Sequence, residues 1–108
     1  VCGDMNDTQD SAALSPLLSD GSELRDVSAH PGFDDGGRPG TFGNGTKGDK
    51  IDYILLSPSL FERVRKGGIF RKGVWGGKRG TLWEHYPQIT NPNQAASDHA
   101  AIWAEIEI

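Results

Sequence analysis

The densest apolar run in the chain is Ile51-Asp52-Tyr53-Ile54-Leu55-Leu56, β-branched and aromatic, stopped by Ser57-Pro58. Its length and composition predict a buried strand. A second strand is predicted at the end. Residues 100–108 close in apolar/charged alternation over Ala104-Glu105-Ile106-Glu107-Ile108, a pattern with one wet face, opened by Ser97-Asp98-His99. Val1-Cys2 reads as the last residues of another strand, running into Gly3-Asp4. Between these lie two helical signals. Ser11 to Ser19 reads as a short helix with Asp10 as N-cap and Pro16 as an irregularity. Ser57 or Ser59 caps a second helix through Leu60, Phe61 and Val64, which Gly67-Gly68 terminates. Leu24 to Val27 reads as a short extended piece, residues 32–48 as glycine-rich loop, and residues 67–97 as irregular.

Composition narrows the class. Leu, Ile, Val and Phe make up 23 of the 108 residues, about 21%, just above the roughly 20% below which chains tend to disorder. One domain is the expectation at this length. No apolar run approaches the ~20 residues of a membrane-spanning helix, so no transmembrane segment is expected. The single cysteine, Cys2, excludes an internal disulfide framework and a cysteine-rich zinc site. No basic-then-apolar leader stands at Val1, so the sequence assigns no compartment, secreted or cytoplasmic. The net charge of -4 hides a segregation: residues 1–35 carry eight acids and one base, residues 36–80 ten bases and three acids, and residues 81–108 four acids and no base. Such blocks fit either solvated faces or an acidic cation site beside a basic, anion-receiving surface.

Three short clusters could carry chemistry, each beside a predicted strand. In Gly3-Asp4-Met5-Asn6-Asp7, extended backbone would point Asp4 and Asn6 to one side, where a carboxylate and an amide can share a ligand. The same residues also suit an Asx turn. Asp52 is a carboxylate inside the most apolar strand, costly unless paired. It is either a core acid bonded to backbone amides or the group that orients a histidine by accepting its ring N–H. His99, in Ser97-Asp98-His99, is suited to proton transfer or phosphate contact near neutral pH.

Gly-Asp-x-Asn, then Ile-Asp-Tyr-Ile-Leu, then Ser-Asp-His ahead of a terminal apolar strand resembles the endonuclease/exonuclease/phosphatase (DNase I-like) superfamily. Thr41-Phe42 ahead of Lys50-Ile51-Asp52 is similar to a further part of its pattern. The resemblance implies an α/β fold, a four-layer sandwich of two packed sheets flanked by helices. Residues 1–108 correspond to its C-terminal half, a partial domain. The N-terminal half of the family, with an Asn and a metal-binding Glu, has no counterpart here, so the segment alone is expected to be inactive. The function implied for the parent is divalent-metal-dependent hydrolysis of phosphodiesters, with phosphomonoesters less favoured. Alternatives are an inactive binding module and a self-associating fragment that covers an exposed sheet face. Carried over, Asp4 would position the attacking water or touch the metal, Asn6 would hold a phosphate oxygen, and Asp52 would orient His99. Lys50 and His99 would contact substrate, and Asp98 and Asp4 would lie at the metal. That metal is Mg2+, with Mn2+ or Ca2+ as substitutes, and the site is incomplete in this segment. The partner implied is a phosphate ester of nucleic acid, a nucleotide or a lipid headgroup.

Other features carry less. Gly43-Asn44-Gly45-Thr46-Lys47-Gly48 fits a dinucleotide-binding pattern but precedes a strand and opens no helix, so it reads as loop. Asn6-Asp7-Thr8 and Asn44-Gly45-Thr46 match a glycosylation triplet that recurs by chance. His30 and His85 read as surface loop residues. Trp75 and Trp83, among Arg71, Lys72, Lys78 and Arg79, suit either stacking on a substrate ring or covering the core beneath a long loop.

Overall fold

A computed structural model describes residues 1–108 throughout. Six strands form two three-stranded sheets. They are β1 (Cys2–Asp4), β2 (Arg25–Asp26), β3 (Phe33–Asp34), β4 (Asp52–Leu56), β5 (Val64–Phe70) and β6 (Ala101–Ile106). Two helices of one turn each, α1 (Ser15–Leu18) and α2 (Pro58–Phe61), complete the regular structure. This is an α/β arrangement of two sheets with few helices, the half-sandwich expected from the sequence. No helix is long and apolar enough to cross a membrane.

The predicted strand is the hinge of the fold. β4 lies between β1 and β2, antiparallel to both, with Asp4 opposite Asp52 and Asp26 opposite Leu55. Side chains alternate along a strand, so β4 presents two different faces. Tyr53 and Leu55 pack with Leu14, Met5 and Leu17 beneath α1. Ile54 and Leu56 turn the other way, into a cluster with Val27, Val64, Ile102 and Ile106 that joins the sheets. Asp52 has the parity of Ile54 and Leu56, so it faces the second sheet, at the end where β6 begins.

In that second sheet β5 is central. It pairs parallel with β3, Phe33 opposite Gly67, and antiparallel with β6, from Phe70 opposite Ala101 to Val64 opposite Ile106. On β6 the even residues Ile102, Ala104 and Ile106 are half-buried and the odd ones exposed, as the alternation predicts.

Three sequence expectations change. The second helix stops at Phe61, and Val64 begins a strand that runs straight through Gly67-Gly68. These glycines are not terminators. A Cβ on Gly67 would lie 2.7 Å from the Trp103 carbonyl oxygen, and one on Gly68 2.7 Å from that of Asp34, so the crowded three-strand junction requires them. Ser57 is the cap of α2, its hydroxyl accepting from the Leu60 N–H at 3.4 Å. The first helix is shorter than expected. Leu14, not Asp10, stands at the N-cap, and Pro16 sits in the first turn, where a missing N–H costs nothing. Residues 32–48 also contribute the short strand β3.

Candidate functional site

Thr41 organises the meeting point of the two sheets. Its side chain is 1% exposed. The hydroxyl donates to Asp52 Oδ2 at 2.6 Å and accepts from the backbone N–H groups of Ile51 and Asp52, at 3.3 and 3.2 Å. The Thr41 carbonyl accepts from Ala100 N–H at 2.7 Å, and Phe42 forms an antiparallel bridge with His99. One residue thereby ties the glycine-rich loop, the start of β4 and the start of β6.

His99 is set by the same framework. Its backbone N–H donates to Ser97 Oγ at 3.0 Å, and its ring lies 5.1 Å from that of Phe42. Nδ1 is 2.8 Å from Asp52 Oδ2. A carboxylate accepts only, so this contact fixes the proton on Nδ1 and leaves Nε2 as the open nitrogen of the neutral ring. Asp4 Oδ2 is 3.9 Å from Nε2 and Asp98 Oδ1 4.0 Å. The His99 pKa is raised above its usual 6.5, first by the hydrogen bond to Asp52, with the charges of Asp52, Asp4 and Asp98 adding and partial burial opposing.

Asp4 reaches the site because β1 and β4 place it directly opposite Asp52. Like charges in facing positions repel, and His99 stands beside both. Ligand atoms of Asp4, Asp52 and His99 lie within 4.8 Å of one another. Asp4 Oδ1 accepts the Asn6 N–H at 2.8 Å, so the segment is an Asx turn, with left-handed backbone at Asn6, φ 52°. The extended backbone expected to align Asp4 with Asn6 is therefore corrected, and Asn6 is exposed just beyond it. Tyr53 anchors this turn from below, its hydroxyl 3.0 Å from the Asp7 carbonyl oxygen and 3.1 Å from that of Lys50. Burial and neighbouring acids push the phenol pKa up to about 12, which keeps it a hydrogen-bond donor.

The donor set suits a hard cation. Asp52 Oδ2 is committed to Thr41 and His99, but Asp4 Oδ2 and the exposed Asp98 carboxylate are available oxygens of the kind Mg2+ prefers.

Lys50 is a correction. It is 2% exposed, with Nζ 3.2 Å from Asp26 Oδ2 and 4.4 Å from the Tyr53 ring centre. Its ammonium joins β4 to β2 inside the protein and presents nothing to a substrate. The two tryptophans sit in different surroundings. Trp83 is structural: Nε1 donates to the Val74 carbonyl at 3.0 Å, and the guanidiniums of Arg71 and Arg38 lie 5.5 and 5.8 Å from its ring. Trp75 lines an open cavity next to Asp98. His30 and His85 are engaged in loop contacts, His30 with Gly32 N–H and Phe61, His85 with Gly80 and Trp75. Gly43–Gly48 leads into a single 3-10 turn, Lys47–Asp49, and opens no helix. Thr41 is the positioning residue that sequence reasoning did not assign, and its signal was the Thr-aromatic pair following the tightly enclosed Gly40.

Comparison with protein families matches residues 1–99 to the Endonuclease/Exonuclease/phosphatase family. No match is found among curated proteins or among solved structures. The family is one of hydrolases that act on phosphate esters and typically depend on a metal. The match runs from β1 through His99, spanning every residue of the Asp4, Asp52, Thr41 and His99 assembly, and the chain belongs to the endonuclease/exonuclease/phosphatase family.

Proposed function

We propose that this chain carries the histidine–aspartate side of a phosphodiester-hydrolysing centre. The observation that supports this best is the 2.8 Å contact between His99 Nδ1 and Asp52 Oδ2, backed by the Thr41 hydroxyl. It leaves Nε2 on the open side of the ring between two carboxylates. Hydrolysis requires an activated water, neutralisation of charge on the phosphoryl oxygens and help for the leaving oxygen.

His99, as the imidazolium, donates from Nε2 to a phosphoryl oxygen, and the flanking acids favour that charged form. Asp52 holds the ring orientation and supports its charge, and Thr41 holds Asp52. Asp4 accepts a proton from the attacking water, and the Asn6 amide donates to a phosphate oxygen. Asp4 and Asp98 would hold a divalent cation, Mg2+ or in its place Mn2+, which supplies charge neutralisation and lowers the pKa of bound water. A diester is favoured over a monoester because the basic residues expected at the substrate are fewer than the sequence implied. Lys50 is unavailable, which leaves little fixed positive charge for a terminal phosphate dianion.

The test is hydrolysis of bis(4-nitrophenyl) phosphate and of 4-nitrophenyl phosphate by the full-length protein with Mg2+, with Mn2+ and with chelator. Turnover of the diester that chelator abolishes, and that His99→Ala lowers by about two to four orders of magnitude, is the expected result. No cation-dependent turnover of either ester, or turnover indifferent to His99, would overturn the proposal.

A further inference from the structure

Gly36-Gly37-Arg38-Pro39-Gly40, three glycines and a proline in five residues, is flexible by composition. Gly36 and Gly37 take left-handed backbone, φ 69° and 85°, and Pro39 has no N–H to pair. The next residue is Thr41, which has an exacting position. Its hydroxyl meets Asp52 Oδ2 at 2.6 Å, and its carbonyl receives the Ala100 N–H at 2.7 Å. A segment of this composition does not hold such a position by itself.

Arg71 supplies the constraint from outside. It follows directly on β5 and is 9% exposed. Nη1 donates to the Asp35 carbonyl at 2.7 Å, and Nη2 donates to the carbonyls of Arg38 and Gly40, the latter at 3.1 Å. These acceptors stand before, within and at the end of the glycine–proline stretch. The Trp83 ring lies 5.5 Å from the guanidinium carbon and is itself fixed by the Val74 carbonyl. A planar guanidinium holds its N–H donors in a rigid fork, so one group reaches three carbonyls, whereas an ammonium is a point charge. Bonds to carbonyls fix the course of the backbone, where an ion pair would join only two side chains.

We propose that Arg71 is a positioning residue for His99, acting through the backbone of residues 35–41. The path runs from the guanidinium to the Gly40 carbonyl, then through Thr41 and Asp52 to the imidazole. The bridge between Phe42 and His99 gives it a second route. The effect on turnover rests on the phosphoesterase reading, and the effect on the ring does not.

The test uses the full-length protein and two readouts. One is the His99 Nδ1–H resonance in chelator-treated protein, and the other is hydrolysis of bis(4-nitrophenyl) phosphate with Mg2+. Arg71→Lys and Arg71→Ala are expected to shift that resonance upfield and speed its exchange with water. Both lower kcat about a hundredfold, the scale of a small misplacement of a reacting group, with KM little changed. N-Ethylguanidinium restores part of the signal and of kcat to Arg71→Ala. Should Arg71→Ala fail to fold, Arg71→Lys decides. Val64→Ala is the control for general destabilisation: it opens the cluster between the sheets at the other end of β5 and leaves the resonance in place. An unmoved resonance in a folded Arg71 variant, or an equal shift in Val64→Ala, would overturn the proposal and spare the phosphoesterase reading where the wild type turns over the ester. A resonance lost on substitution of Arg71, in a protein whose wild type hydrolyses no ester, would overturn that reading and support the role of Arg71.

Discussion

Two acid–base pairs stand at the head of β4, two residues apart in sequence and opposite in use. Lys50 meets Asp26, and Asp52 meets His99. The carboxylates are covered almost equally, with side chains 15% and 14% exposed, so burial of the acid does not separate them. The partners do. Lys50 is 2% exposed and has no free face, whereas His99 is 27% exposed and keeps Nε2 towards the open side. The lesson is that a buried acid becomes a chemical site only when its partner has a second, accessible atom. The first pair ties β2 to the start of β4 within one sheet, and the second sets the orientation of one imidazole.

The comparison breaks most visibly in turnover. If Asp52 acts through His99 in the proposed hydrolysis, Asp52→Asn lowers kcat by an amount comparable to His99→Ala, about two to four orders of magnitude. The double variant then falls little below His99→Ala alone, because groups acting as a unit are not additive. Multiplying losses would separate the two residues.

For the other pair the expected loss is in stability. Asp26 Oδ2 has no well-formed hydrogen bond and relies on the Lys50 ammonium. Lys50→Met therefore destabilises by about 3–5 kcal/mol, the scale for stranding a buried charge. The double variant Lys50→Met/Asp26→Leu regains much of it in urea melts, and kcat of the folded fraction stays near the wild-type value. A large fall in kcat with unchanged stability would return Lys50 to the substrate.

Thr41 sharpens the contrast, since it serves the second pair alone. Thr41→Val removes the donor to Asp52 and an acceptor for two backbone N–H groups, which costs about 1–3 kcal/mol. It also lowers the His99 midpoint. Thr41→Ser, which keeps the hydroxyl, restores both stability and midpoint. A purely structural threonine would leave the midpoint where it was.

What the sequence made legible follows the same division. β4 and β6 were readable because each is dominated by its own side-chain pattern, and that pattern also put Asp52 on the face of Ile54 and Leu56. β5 was not, because Gly67-Gly68 are determined by Trp103 and Asp34, far away in the chain, and local propensity reads them as a stop. Asp52 and His99 could be paired from sequence through the family pattern. The fate of Lys50 could not, since charge does not report burial: Asp26 and the Tyr53 ring that enclose it come from different parts of the chain. Thr41 escaped for a related reason, its role existing only where three segments meet.

The smallest expected effect is on stability against pH. His99 has a raised pKa in the folded protein, so the protonated ring favours the fold. That contribution is complete below about pH 6.5, the ordinary value for histidine, and disappears as pH rises through the folded value. Thermal melts across this window should show the wild type losing stability relative to His99→Ala. The opposite slope would place the ring in an environment that disfavours its charge.

The central claim is that Asp52 fixes the tautomer and charge of His99. Its most direct test is the 15N-imidazole NMR titration of His99 in chelator-treated protein, wild type and Asp52→Asn. The account predicts that the neutral ring carries its proton on Nδ1, that the midpoint lies above 6.5, and that Asp52→Asn brings the midpoint down. A neutral ring protonated on Nε2, or a midpoint unmoved by Asp52→Asn, would contradict it.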